Sequence, residues 1–333
     1  MRAYVLTRYG GAAAMEFRDV PEPQPGPGEV RIKVAAAGLN PVDYKIREGA
    51  LRPINRLRLP VIAGCECAGT VDAVGPGEGR FAVGDRVFAQ VDRIRLGAFA
   101  EFACVRQELV AAMPASLGFA EAAGLPLAGL TALQALRDEL AVRPGTRLFI
   151  SGGAGGVGTL AIQLAKHLGV EVTTTASPRG EALVRRLGAD RVVDYTREDF
   201  AEVLKDFDAV LDLIGGATLK ESFRILRPGG RVVSIAGVPE PLSAKKDLGS
   251  PRWVAAVFWA MSLGIRRRAR KAEATYRYLF MNPSGDDLRV LASLVDGGQL
   301  EPILDSTFPF ERIAEAFAAL ERGRAKGKIV VTL

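Results

Sequence analysis

Hydrophobic and polar positions alternate with a period near two through the first third of the chain, then shift to a helical period near its middle. Before the shift, Ala3–Leu6, Glu29–Ala36, Gly69–Val74 and Arg86–Phe88 are short β-branched or alternating runs between Gly and Pro turns, as strands are. Pro21–Val30 (PEPQPGPGEV) reads as a stiff, ordered loop entering a strand. This portion predicts an irregular β domain or partial barrel.

From about Arg147 the pattern changes. Leu148–Ile150 is a short apolar strand, followed by SGGAGGVG and then TLAIQLAKHLG. In the last segment Val157, Ala161, Leu164, Ala165 and Leu168 share one helical face, with Thr159, Gln163, Lys166 and His167 on the polar side. Strand-like runs recur at Glu171–Thr175, Arg191–Val193, Ala209–Leu213 and Arg231–Ile235, with helical segments such as Glu181–Leu187 and Thr218–Leu226 between them. Strands alternating with helices make a doubly wound parallel sheet. The chain closes with a helix over Phe310–Glu321 and a strand over Lys328–Leu333.

Composition narrows the picture. At 333 residues the chain exceeds the size at which one core keeps growing, so two domains are expected. With 48% hydrophobic and 25% charged residues it is not a disordered chain. A net charge of +6 is mild, and the only dense basic run is Arg266–Lys271, so no nucleic-acid partner is expected. Three cysteines, Cys65, Cys67 and Cys104, supply neither a disulfide framework nor a four-cysteine zinc site, which suits a reducing cytoplasm. The first ten residues hold no apolar signal core. The apolar stretch Trp253–Ile265 falls short of the roughly 20 residues that cross a bilayer.

Gly153-Ala154-Gly155-Gly156-Val157-Gly158 satisfies G-x-G-x-x-G where a strand runs into a helix, the context that gives this pattern meaning. Gly153 is expected to make the tight turn, Gly155 to admit a pyrophosphate, and Gly158 to let helix and strand approach. The N–H groups of the helix start then face the phosphates. An NAD site carries Asp or Glu about 20 residues on, to hold the ribose 2′-hydroxyl. Here that place is Thr173-Thr174-Thr175-Ala176-Ser177-Pro178-Arg179, with no acid. Thr175, Ser177 and Arg179 suit a 2′-phosphate instead, so NADPH is the expected cofactor.

Several motifs together resemble the medium-chain dehydrogenase/reductase superfamily, in its zinc-free quinone oxidoreductase and enone reductase branch. They are AAGLNPVDYKIREG (Ala36–Gly49), GCECAGTVDAVG (Gly64–Gly75), VGDRV, GAFAEFACV, PLAGLTALQAL, the glycine turn, LGADRVVDY, LRPGGRVVSIAG and GRAKGKIVV, in order along nearly the whole chain. The resemblance implies a GroES-like catalytic domain over 1–122, completed by 281–333. A Rossmann NADPH-binding domain then spans 123–280, with cofactor and substrate meeting in a cleft. It implies a homodimer. It also implies that zinc ligands are missing, since Asn40 and Cys65-Glu66 stand where the zinc members have Cys and His-Glu.

A metal-free enzyme of this kind adds hydride to an acceptor that is already electrophilic, a quinone or an enone, and stabilises the oxyanion that develops. Candidate catalytic residues are Asn40, Tyr44 and Lys45. Asn40 and Asp43 also read as helix caps, and Lys45 as an ion-pair partner of Asp43. The resemblance further implies cofactor contacts from Thr131, from Tyr195 at the 2′-phosphate, from Ala236-Gly237-Val238 at the nicotinamide, and from Lys326 or Lys328. Cys67 reads as a small buried hydrophobe, whereas Cys65 is a candidate for facing the cleft and reacting with quinones.

Residues 239–280 exceed the short connection of compact members. Trp253–Met261 is apolar on every side, which predicts a buried helix walling the pocket or a subunit contact. The Arg run behind it offers a second reading, weak docking of 253–271 on a membrane surface. The leading functional expectation is an NADPH-dependent reductase of quinones or α,β-unsaturated carbonyls. Enoyl-thioester reduction, or NADPH binding with little turnover, are the alternatives.

Overall fold

The computed structural model describes residues 1–54, 56–77, 79–92 and 95–333. The chain divides into one unit of Met1–Leu130 with Pro283–Leu333 and a second of Thr131–Asn282. The division falls after Leu130 rather than after 122: the helix Phe119–Ala123, with Ala122 and Ala123 fully buried, packs on the first unit's sheet.

The first unit begins with β1 (Arg2–Leu6), β2 (Met15–Asp19), β3 (Glu29–Leu39), α1 (Pro41–Arg47), β4 (Val61–Ile62), β5 (Glu66–Val74), β6 (Arg86–Gln90), β7 (Phe102–Arg106) and β8 (Val110–Ala112). Helix α2 (Phe119–Ala123) follows, and the chain passes from the first unit to the second within α3 (Pro126–Gln134). The long strand β3 shows why its residues alternate only at first. Val30, Ile32 and Val34 are buried while Lys33 faces water, but from Ala36 to Leu39 every residue is buried. It pairs antiparallel with β5 and β7, and β5 continues the sheet to β6 and β8. Val30, Ile32, Val71, Val87 and Phe99 fill the core beneath it. Each such side chain stabilises the fold by roughly 1.5–3 kcal/mol.

The second unit is β9 (Arg147–Ser151), α4 (Gly156–His167), β10 (Glu171–Ala176), α5 (Pro178–Arg186), β11 (Arg191–Asp194), α6 (Phe200–Val203), β12 (Phe207–Asp212), α7 (Gly216–Glu221), β13 (Leu226–Ser234), α8 (Arg252–Met261), α9 (Leu263–Lys271) and β14 (Thr275–Tyr278). All six strands are parallel, in the order β11-β10-β9-β12-β13-β14. Strand order therefore reverses between β9 and β12, the place where ligands bind in such sheets. Phe149 stacks on Phe200 at 4.8 Å between ring centres, with Phe207 and Phe223 in the same core.

Helix α4 sits deeper than its pattern predicts. Thr159, expected on the polar face, is fully buried, and its hydroxyl donates to the Gly156 carbonyl at 3.1 Å. In segment 239–280 one face of α8 is buried, as expected, and the rest lies at the surface of this chain, where the expected subunit contact would form. Val254 and Phe258 of α8 are buried, but Trp253, Val257, Trp259 and Met261 are exposed, so this helix is not enclosed. Arg277 of β14 ties the segment down through Glu139 (3.0 Å), Glu240 (2.9 Å) and Asp247.

The chain then rejoins the first unit with α10 (Gly285–Asp296), β15 (Leu304–Pro309), α11 (Ile313–Glu321) and β16 (Lys328–Thr332). Strand β16 pairs antiparallel with β3, placing Ile329 opposite Leu39.

Candidate active site

In the second unit the glycine turn links β9 to α4. Its left-handed residue is Gly152, at φ +76°, one position earlier than expected. Gly153 is needed for closeness instead: a Cβ there would lie 2.2 Å from Thr174 Oγ1. A Cβ on Gly158 would lie 2.5 Å from the Gly152 carbonyl oxygen, so α4 touches the turn as expected. Gly155 caps α4, which leaves the N–H groups of Gly156, Val157 and Gly158 in its first turn, where an N-terminus offers donors and partial positive charge to an anion.

Thr175 is buried, and its hydroxyl accepts from the Gly152 N–H at 2.9 Å while its carbonyl accepts from the Gly153 N–H at 3.1 Å. It braces the turn. Ser177 caps α5, Arg179 is exposed in that helix's first turn, and Tyr195 is 60% exposed just past β11. Because Ala176 is level with Asp194, Ser177 and Tyr195 leave the sheet side by side. No acidic residue stands between Thr173 and Gly180.

The carboxyl ends of β9, β12 and β13 carry a buried network that sequence reasoning missed. Ser151, Asp212 and Ser234 are level across the three strands. The fully buried Asp212 carboxylate accepts from the Ser151 hydroxyl (3.1 Å), the Ser234 hydroxyl (2.6 Å) and the Gly215 N–H (3.0 Å). The two hydroxyls in turn accept from the Leu213 and Ala236 N–H groups. Val238 exchanges hydrogen bonds with the Tyr276 hydroxyl. Loops 213–215 and 236–238 are thereby fixed at the point where strand order reverses. Thr131 is buried on α3.

In the first unit, Asn40 opens α1 and is buried. Its amide donates to Glu66 Oε1 at 2.6 Å, and its side-chain oxygen accepts from the Lys328 ammonium. Lys328 also donates to Glu66 Oε1 at 2.7 Å and to the Leu39 carbonyl at 3.1 Å. The other Glu66 oxygen accepts from the Leu127 N–H at 2.6 Å. Lys328 therefore does not extend toward a ligand. Lys326 is only half-buried, and its N–H donates to Asp305 at 2.7 Å.

Asp43 is not paired with Lys45, which is exposed. It is buried, accepting from the Asn40 N–H at 2.7 Å and from the Cys65 thiol. Burial first, with the Glu66 charge adding, pushes its carboxyl up to about 7. Burial, the Asp43 charge and this hydrogen bond push the Cys65 thiol well up, so Cys65 is enclosed and protonated rather than poised to meet quinones. Cys67 is buried as expected and pushed up to about 12 by burial. The Tyr44 hydroxyl is half-buried and likewise raised, by burial and then by the Glu48 and Glu321 carboxylates.

Comparison with known proteins agrees with this architecture. The "Alcohol dehydrogenase GroES-like domain" model matches residues 26–115 and the "Zinc-binding dehydrogenase" model matches residues 187–331. The chain is 34% identical to the chloroplast envelope quinone oxidoreductase homolog of Arabidopsis thaliana, covering 99% of this chain and 98% of that protein. The chain belongs to the medium-chain dehydrogenase/reductase superfamily, in its quinone oxidoreductase and enone reductase branch.

Two further members show its range. The chloroplastic NADPH-dependent alkenal/one oxidoreductase of the same plant is 34% identical over 99% of this chain and 79% of its own length. The solved quinone oxidoreductase of Coxiella burnetii superposes with a TM-score of 0.86 at 31% identity, covering 100% and 99% of the two chains. As a member of this superfamily the protein is an oxidoreductase with a GroES-like unit and a Rossmann unit. Among the described residues, no three His, Cys, Asp or Glu side chains are grouped to hold a metal.

Of the residues singled out by sequence, Asn40 and Lys328 meet in one buried cluster, and the glycine turn stands beside Thr175. Glu66 is marked by sequence only as standing at a zinc-ligand place of other members, and Asp212 is not marked at all. Their buried roles have a weak signature in sequence, an acid inside an apolar strand for Glu66 and an acid ending one shortly before Gly-Gly for Asp212.

Proposed function

We propose that this protein is a zinc-independent, NADPH-dependent reductase of quinones or of the double bond of α,β-unsaturated carbonyls. The observation that carries the proposal is the acid-free end of β10 beside the glycine turn, with Ser177, Arg179 and Tyr195 at the sheet edge. An acid there would repel a 2′-phosphate, whereas a guanidinium and a hydroxyl suit one.

The residues present fit that cofactor. Gly153, Gly155, Gly156 and Val157 would hold the pyrophosphate and Ala236-Gly237-Val238 the nicotinamide, with Thr131 and Lys326 as the further residues assigned to the cofactor. Bound NADPH supplies a hydride equivalent, which with one proton reduces a quinone to a hydroquinone or saturates an enone, leaving NADP⁺. Tyr44 and Lys45 are assigned as donors to the oxyanion that develops, Tyr44 because its raised hydroxyl stays protonated. Asn40 acts through position, holding the start of α1 by way of Glu66 and Lys328.

The first unit's polar residues do not suit zinc. A ligand thiol must lose its proton, yet Cys65 is held protonated against Asp43. The Lys328 ammonium already neutralises Glu66.

The test follows NADPH oxidation by metal-stripped protein with a quinone and an enone in parallel. Turnover with either is the expected result, and the faster acceptor names the subclass. NADPH binding without reduction of either, but with turnover of an enoyl thioester, would overturn the acceptor assignment.

A further inference from the structure

Residues 252–271 make one nearly continuous helix. At its centre the Ser262 N–H donates to the Phe258 carbonyl and the Ser262 carbonyl accepts from the Arg266 N–H, both at 2.9 Å, so the ladder runs from α8 into α9. Val254, Phe258, Ile265 and Ala269 turn inward, the last two into the core of the second unit. A flanking face of the helix carries Trp253, Val257, Ala260, Gly264, Arg267, Arg268 and Lys271, spaced as one helical stripe and all exposed.

That stripe is apolar in its first half and cationic in its second. The only two tryptophans of the chain lie on this helix, 62% and 51% exposed. Arg252, Arg266, Arg267, Arg268, Arg270 and Lys271 bring six positive charges, with no Asp or Glu from Pro251 to Ala272. None of the six pairs with a carboxylate among the described residues. Arg266 Nη1 is buried without a hydrogen-bond partner. Beside it, Arg266, Ala269, Arg270, Ala274, Thr275 and Tyr276 line a hollow of about 310 Å³.

We propose that this helix docks the protein on the surface of an anionic phospholipid bilayer. Tryptophan favours the depth just below the headgroups, and arginine takes headgroup phosphates bidentately. A second copy of the chain is the poorer occupant, because it would bring a second set of six cations to the interface and no acid between Pro251 and Ala272 to offset them, whereas an anionic surface offsets all six. No described helix is long and apolar enough to cross a membrane; the contact proposed is one of a helix lying on the surface. The proposal holds whichever acceptor the enzyme reduces.

Both tryptophans report the event directly. The full-length protein is mixed at low salt with vesicles of phosphatidylcholine alone or of phosphatidylcholine with phosphatidylglycerol. Tryptophan emission is expected to shift to shorter wavelength, and the protein to sediment, only with the anionic vesicles. Each cation is worth about fivefold in partition at such a surface, so Arg267→Glu with Arg268→Glu is expected to weaken binding at least about a hundredfold. Melting temperature and NADPH oxidation in solution should not change in that variant. Absence of binding to anionic vesicles, or undiminished binding by the variant, would overturn the proposal. So would a concentration-dependent emission shift without vesicles, accompanied by a dimer that Trp253→Ala abolishes, which would assign the face to a second copy.

Discussion

Asp43 shows how burial changes an ordinary residue. Its carboxyl lies at about 7 against an ordinary 3.8, so between those values the folded chain holds a proton that the unfolded chain has lost. The site's contribution to stability is therefore full below about pH 4 and is lost as pH rises toward 7. Asp43→Asn removes that loss. Thermal melts should show the variant gaining on the parent as pH rises from about 4 to about 8, and a pH-independent difference would contradict this account. Arg179 is the corresponding test of cofactor choice. If it holds a 2′-phosphate, Arg179→Ala should raise KM for NADPH by roughly 10- to 100-fold, the worth of a charged hydrogen bond of about 1.5–3 kcal/mol, and leave KM for NADH unchanged. Equal effects on both cofactors would remove Arg179 from the site. Sequence marked Arg179 because the acid was missing, but it could not show that Asp43 bonds to Cys65 rather than Lys45. That pairing depends on which side of α1 packs inward.

At the scale of elements, the glycine turn was legible because strand, turn and helix each leave a pattern in the chain. Its inner division of labour was not. The left-handed position is Gly152, and Gly153 is confined by Thr174 on a neighbouring strand, a contact that only tertiary structure supplies. Gly158→Ala should destabilise the second unit by about 1–3 kcal/mol, because the new methyl meets rigid backbone at 2.5 and 2.7 Å. Denaturant unfolding with NADPH titration checks this, and parental stability with parental binding would contradict it. The Asp212 network was hidden for a related reason: Ser151, Asp212 and Ser234 are far apart in sequence and meet only because three parallel strands run in register. Helix α8 is apolar all round, which predicts a pocket wall or a subunit contact; only one of its faces meets the core of this chain, and which face does so depends on the tertiary packing of its neighbours.

For the whole molecule, the switch in hydrophobic period near Arg147 announced a β-rich unit and a parallel sheet, and the motif order announced the superfamily. The acceptor was not legible. Quinones and enones make the same demand, a hydride donor and a place for an oxyanion, and differ only in the shape they require. The most direct test of the central claim follows a labelled atom. NADPH deuterated at the transferable position of nicotinamide C4 is supplied with an enone to the metal-stripped protein, and the product is read by mass and NMR. Where the enone turns over, the account predicts one deuterium at the β-carbon and a solvent proton at the α-carbon; where only a quinone run in parallel does, it predicts loss of the deuterium from the cofactor, and in neither case dependence on added zinc. Deuterium retained on the cofactor both with the enone and with the quinone, or transfer that appears only when zinc is restored, would contradict it.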